Sequence, residues 1–212
     1  YIFRIFVSYV QIIKHTDMRL KFFIIAAAAL FCAAASAQET TEYEFTVVKE
    51  NPITSIKDQH RSGTCWCFSA LSFIESEIIR TKGLELDLSE MFVVGKSYHD
   101  RAIKYVRLDG HLNLAAGSSF GDVLHVIKDY GIVPQAEMPG LNYGTEKPEH
   151  FEMDAAIKGY ADAINKRPNR NLTTAWVNGL DGIIAAYLGE YPEEFTVDGV
   201  KYTPESYRDF LG

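Results

Sequence analysis

Cysteine is scarce in this 212-residue chain, with Cys32, Cys65 and Cys67 as its only members. That excludes a disulfide framework. Cys65 and Cys67 lie two apart, and on one helix such residues point to nearly opposite faces, so they should not bridge each other. Long apolar runs are also lacking: the longest, Phe22 to Ala35, is 14 residues, short of the ~20 that a spanning helix needs. Basic residues fall short of acidic ones, 21 against 28, which argues against nucleic acid as a partner because phosphate binding needs a basic face. No histidine follows His150. His60, Cys65 and Cys67 lack a fourth ligand at sensible spacing, so no metal site is expected. The pair reads Cys-x-Cys rather than the redox Cys-x-x-Cys. No nucleotide or flavin motif is present, and no cofactor is expected.

The first plausible start is Met18, so residues 1–17 read as an upstream segment. From Met18 the order is basic Arg19 and Lys21, the apolar run, then Ala35-Ser36-Ala37 before Gln38, the layout of a secretory signal peptide cleaved after Ala37. Bulky Phe31 argues against a lipid anchor at Cys32. The expected product, residues 38–212, is secreted or periplasmic and keeps no stable membrane anchor. The leader holds four basic residues and one acidic, which leaves 17 basic against 27 acidic and a formal charge of −10. Its length suits one domain or part of a larger one, and 47% hydrophobic residues allow the core alone to hold the fold.

Along that product, Tyr43 to Val48 alternates like a strand or extended arm. Trp66, Ala70, Leu71, Ile74 and Ile78 carry helical spacing over 65–80, with Glu75 and Glu77 expected on polar faces and Gly83 as the stop. Ser89 opens a second helix towards Leu108. The loop 117–122 leads into a helix at 122–130 closed by Gly131. A Gly-, Pro- and Asn-rich loop fills 134–148, and helices follow over about 152–166 and 173–189. Asp198-Gly199 between two β-rich triplets signals a hairpin. No element is evident at the chain's last residues.

The segment Gln59-His60-Arg61-Ser62-Gly63-Thr64-Cys65-Trp66-Cys67-Phe68-Ser69 puts a cysteine at the mouth of a helix. Unpaired N–H groups and the helix dipole there stabilise negative charge and favour the thiolate, the reactive form. Gly63 permits a sharp turn, and Ser62 or Thr64 can cap the free N–H groups. The plain alternative is that both cysteines are small apolar core residues. That suits Cys67. For Cys65 it would require Gln six before, Gly two before and Trp one after to coincide.

These residues resemble the active-site signature of papain-like cysteine peptidases. Leu88-Ser89-Glu90 resembles that family's helix start, and Gly117 to Pro134 its substrate-groove loop and following helix. Glu90-Met91-Phe92-Val93-Val94, Lys104-Tyr105-Val106-Arg107, Gly117-Ser118-Ser119-Phe120 and Leu141-Asn142-Tyr143-Gly144 are similar to the bleomycin hydrolase and aminopeptidase C branch. Most secreted relatives would carry a disulfide cysteine at position 62. The resemblance implies an α+β papain-like fold, here mainly the helical left domain with helical insertions, the β-rich right domain missing. It implies Cys65 as nucleophile, Gln59 and the Cys65 N–H as oxyanion hole, and Gly63, Trp66, Ala116, Gly117 and Ser118 at the substrate. The branch commonly has Gly-Gly where Ala116-Gly117 stands. Papain-type partners His and Asn come about 130 to 150 residues after the Cys, and the branch's insertions push the His well beyond that spacing, so the resemblance implies that they lie beyond residue 212. Of the remaining histidines, His60, His99, His111, His125 and His150 are expected on the surface or on helix faces. The implied activity is peptide hydrolysis from the amino terminus, with a hexameric assembly as the branch's habit. The rival reading is a truncated, inactive left domain that binds peptides or a partner.

Overall fold

The computed structural model describes residues 43–168 and 171–212. The upstream segment and signal peptide expected at 1–17 and 18–37 therefore lie outside the described residues. Two compact units divide at Lys49 and Glu50. In the first, the described residues 43–49 form no strand, and Tyr43, Phe45, Val47 and Val48 are all exposed.

The second unit is built from helices. α1 (Cys65–Lys82) ends where Gly83 takes φ +69°, the left-handed stop that only glycine adopts cheaply. α2 (Glu90–Arg107) begins with Ser89, whose side chain accepts from the Phe92 N–H. α3 (Phe120–Tyr130) starts two residues before the expected position, because Ser119 and Asp122 form a reciprocal capping box. After a 3-10 turn at Gln135–Glu137 come α4 (Phe151–Asn165) and α5 (Ala175–Leu188).

β1 (Phe195–Val197) and β2 (Val200–Tyr202) pair antiparallel in the register Phe195 to Tyr202. Asp198 and Gly199 both have positive φ, the geometry of a type I′ hairpin turn. A final helix, α6 (Pro204–Leu211), closes the chain. It was not expected. Its signal was local: Thr203 and Ser206 cap each other's backbone, with Pro204 at the first helical turn.

α2 packs against α1, α3, α4 and α5, and its burial explains why. Met91, Phe92, Val93, Val94, Tyr98, Ala102, Tyr105 and Val106 are all buried, so more than one stripe of the helix is covered. At Gly95 an added Cβ would lie 2.2 Å from Tyr191 Oη, so only glycine lets Tyr191 seat there. Tyr98 and Tyr105 tie α2 to α4 by donating to Asp154 and Asp162. The fold is thus mainly helical, with one two-stranded hairpin among the described residues.

Candidate active site

The loop before α1 is anchored by a buried ion cluster. Lys57 Nζ lies 2.9 Å from Glu75 Oε1, 2.6 Å from Asp87 Oδ1 and 2.9 Å from Glu90 Oε1. Glu75 also accepts from Thr54 Oγ1 at 2.6 Å and from the Leu88 N–H at 2.8 Å. Burial alone would lower the Lys57 pKa, but the bonds and charges of Asp87, Glu90 and Glu75 outweigh it and raise it. Burial raises the Glu90 pKa against the opposing pull of Lys57. Glu75 is therefore not on a polar face: it is fully buried. Helical periodicity could not reveal a salt bridge to a loop 18 residues upstream.

From Lys57 the chain turns tightly. The Ser62 N–H and Oγ both donate to the Gln59 carbonyl, at 3.3 and 2.8 Å, and Ser62 Oγ also meets Thr64 Oγ1. Neither hydroxyl caps α1: Thr64 makes no side-chain cap bond, because the two hydroxyls satisfy each other and the loop instead. His60 takes φ +47° and Gly63 φ +67°. A Cβ on Gly63 would stand 2.7 Å from Ala116 Cβ, so glycine is required there both for conformation and for the close approach of the 115–117 loop.

That approach unites three of the expected site residues. Trp66 is buried and its Nε1 donates to the Ala116 carbonyl at 3.1 Å. Gly63, Trp66 and Ala116 thus form one contact next to Cys65, the first residue of α1, which is exposed. Gln59 is half-buried, and its Oε1 is enclosed with no hydrogen-bond partner among the described residues. Gly117 is exposed. Ser118 is committed elsewhere, donating to Asp122 Oδ2 at 2.6 Å. Burial would raise the Asp122 pKa, but the bonds from Ser118 and Ser119 outweigh it and lower it.

Cys67 lies in the core, its thiol pKa raised well above the usual value by burial and by Glu90. Its Sγ donates to the Glu90 carbonyl at 3.5 Å. Both cysteines are free. His150 departs from expectation: it is fully buried, and neither ring nitrogen makes a hydrogen bond of good geometry among the described residues. Burial pushes its pKa down to about 4 against a smaller upward pull from the Ser62 backbone. An apolar cavity of about 510 Å³ lies away from this site, between α1, α3 and α6, lined by Ile74, Ile78, Leu124, Ile127 and Leu211. Among the described residues no cluster could hold a metal ion, and no helix is long and apolar enough to cross a membrane.

The profile of the papain family of cysteine proteases matches residues 41–163, more than half of the chain. The chain belongs to the papain family. Curated relatives agree with the assignment. Digestive cysteine proteinase 1 of Homarus americanus is 35% identical over 95 residues, 39% of this chain and 29% of that protein. Procathepsin L of Felis catus is 26% identical over 162 residues, 72% of this chain and 43% of that protein. The crystal structure of PepW from Lactobacillus rhamnosis HN001 superposes with a TM-score of 0.51 at 17% identity, over 97% of this chain and 55% of that one. This likeness shows a papain-like fold. The chain spans less than half the length of these two curated relatives and just over half of PepW.

Proposed function

We propose that this papain-family chain carries the nucleophile half of a cysteine peptidase. Cys65 is the nucleophile, and its backbone N–H and the Gln59 amide form the oxyanion hole. The observation that carries this reading is the pairing of unclaimed groups. In a loop where backbone and hydroxyls are bonded to one another, Cys65 is exposed and the enclosed Gln59 Oε1 has no hydrogen-bond partner among the described residues. With its oxygen not held by a bond to the loop, the Gln59 amide can turn its Nε2–H donor towards an oxyanion formed at Cys65.

In this reading the Cys65 thiolate adds to a peptide carbonyl, forming a C–S bond, and the oxyanion is held by the two donors. Collapse breaks the C–N bond, the departing amine takes a proton, and water then releases the acyl group as acid and regenerates the thiol. The base that accepts and returns the proton, with its orienting Asn, is supplied from outside the described residues. The finer assignment is to the aminopeptidase C and bleomycin hydrolase branch, exported by the leader at 18–37 and acting as a homo-oligomer.

The test uses the full-length secreted protein and its intact mass. Fluorogenic substrates with free amino termini should be cleaved, their N-acetylated forms poorly. A thiol-directed epoxide should block turnover and map to Cys65. Cleavage that survives complete alkylation of Cys65 refutes the nucleophile assignment, and equal cleavage of acetylated substrates refutes the aminopeptidase branch.

A further inference from the structure

We propose that Lys147–His150 is a strap that positions the Gln59 loop, with His150 as its positioning residue, a role that rests on the proposed oxyanion hole. The contacts run residue against residue. The Arg61 N–H donates to the Pro148 carbonyl at 3.1 Å, and the His150 N–H donates to the Arg61 carbonyl at 3.3 Å, making an isolated parallel bridge between Arg61 and Glu149. His60 Nδ1 donates to the same Pro148 carbonyl at 3.3 Å, and Lys147 Nζ pairs with Asp58 Oδ2 at 2.8 Å. Asp58, His60 and Arg61, which flank Gln59, are thus all held by this one segment.

Such a hold matters because the Lys57 cluster fixes the loop only at its start and the Ser62 bonds are internal to it, which leaves Asp58 to Arg61 to be held from outside. The loop contains no helix or strand, and His60 sits in the left-handed region, a conformation a non-glycine residue keeps only when its surroundings impose it. The strap is in turn fastened at its far end by His150. Its ring is fully buried and stands edge-on to Tyr143, with centroids 6.2 Å apart. The Tyr143 hydroxyl accepts from the Glu149 N–H at 3.1 Å, and the His150 carbonyl accepts from the Asp154 N–H at 2.7 Å in the first turn of α4. The loop is therefore tied through His150 to the rigid α4. The Ser62 backbone lies near the ring, but no ring nitrogen reaches hydrogen-bond geometry with a described residue, so the ring acts chiefly by filling space.

The test compares the full-length protein with His150→Ala, His150→Phe and Lys147→Met. Three readouts are taken: amide exchange at Arg61 and along α2, alkylation of Cys65 by iodoacetamide, and turnover of a free-amino fluorogenic peptide. Misplacing a catalytic donor by about 1 Å can cost on the order of 10²-fold. His150→Ala should speed Arg61 exchange at least about tenfold and cut kcat about tenfold or more, with KM within about threefold. Alkylation should stay within about twofold, because it needs no oxyanion hole. His150→Phe, which keeps a ring in place, should restore both exchange and kcat. Lys147→Met, an exposed change that cannot empty the core, should speed Arg61 exchange several-fold while α2 amides stay put.

Unchanged Arg61 exchange in His150→Ala, or in Lys147→Met should the alanine variant not fold, overturns the strap. So does a loss of turnover that alkylation and α2 protection follow in step. A wild-type protein that turns over no peptide refutes the peptidase reading instead, and Arg61 exchange still decides whether the strap holds the loop.

Discussion

Replacing Lys57 with methionine tests whether the ion cluster holds the loop before α1 to the core. Lys57 is only 18% exposed and is the cation shared by two carboxylates that are almost wholly enclosed, Glu75 at 0% and Glu90 at 2% exposure. Methionine keeps most of the side-chain volume and removes the charge, so packing changes little and the electrostatic loss dominates. Removing one partner of a buried pair typically costs about 3–5 kcal/mol, because the remaining charge is left uncompensated. Here two carboxylates would be left facing each other, while Thr54 and the Leu88 N–H still satisfy part of Glu75. For a domain of this size about 1 kcal/mol moves Tm by roughly 2–4 °C, so the variant should melt roughly 6–20 °C lower. Thermal unfolding followed by circular dichroism reads this directly. The companion variant Lys57→Met with Glu75→Gln should recover part of the loss, since a neutral amide needs no counter-charge. A fall in Tm under about 3 °C, or no recovery in the double variant, would refute the view that the cluster is held by charge.

The remaining predictions concern single sites. His150 is neutral in the folded protein with a pKa of about 4, against 6.5 for an ordinary histidine. Between those values the unfolded chain binds more protons, so the stability present above pH 6.5 is lost as pH falls towards 4. The loss amounts to about 2–3 kcal/mol; urea unfolding at pH 7 and 4.5 should show this drop in wild type and a smaller one in His150→Phe. Gly63→Ala should cut turnover by about tenfold or more and lower Tm, since the methyl collides with Ala116 Cβ at 2.7 Å and φ is +67°; an unimpaired variant would show that the loops can part freely. Tyr191→Phe removes a buried hydroxyl that has no hydrogen-bond partner among the described residues and should be neutral or stabilising by up to about 1–2 kcal/mol. The Lys96 ammonium 3.6 Å above the ring centroid keeps its aromatic face in that variant, and destabilisation beyond about 1 kcal/mol would mean that the hydroxyl has an unseen role.

Much of the fold was legible wherever a local signal sets the outcome. Gly83 stops α1, Ser89 starts α2, and Asp198-Gly199 turns the hairpin because each needs only its neighbours in sequence. α6 carried an equally local signal in Thr203, Pro204 and Ser206, and went unread because it is only 8 residues long and adjoins the hairpin. Of the strand or extended arm expected at 43–48, the strand did not form: its alternation is clear, but no partner strand pairs with it among the described residues. A strand needs a neighbour that its own sequence cannot supply.

The site divides the same way. Sequence by itself determined that Cys65 opens a helix after a glycine turn, with Gln59 six residues before it and Trp66 behind it, because helix starts and turns follow short-range rules. Only the tertiary structure decided that Glu75 is a buried counter-ion of Lys57, that Ser62 and Thr64 serve the loop and not the helix cap, and that Ser118 is taken up by Asp122. It also made His150 a buried anchor under the Gln59 loop, 91 residues from it in the chain. Burial and pairing of polar groups depend on which distant segments meet, and that choice belongs to the packed core.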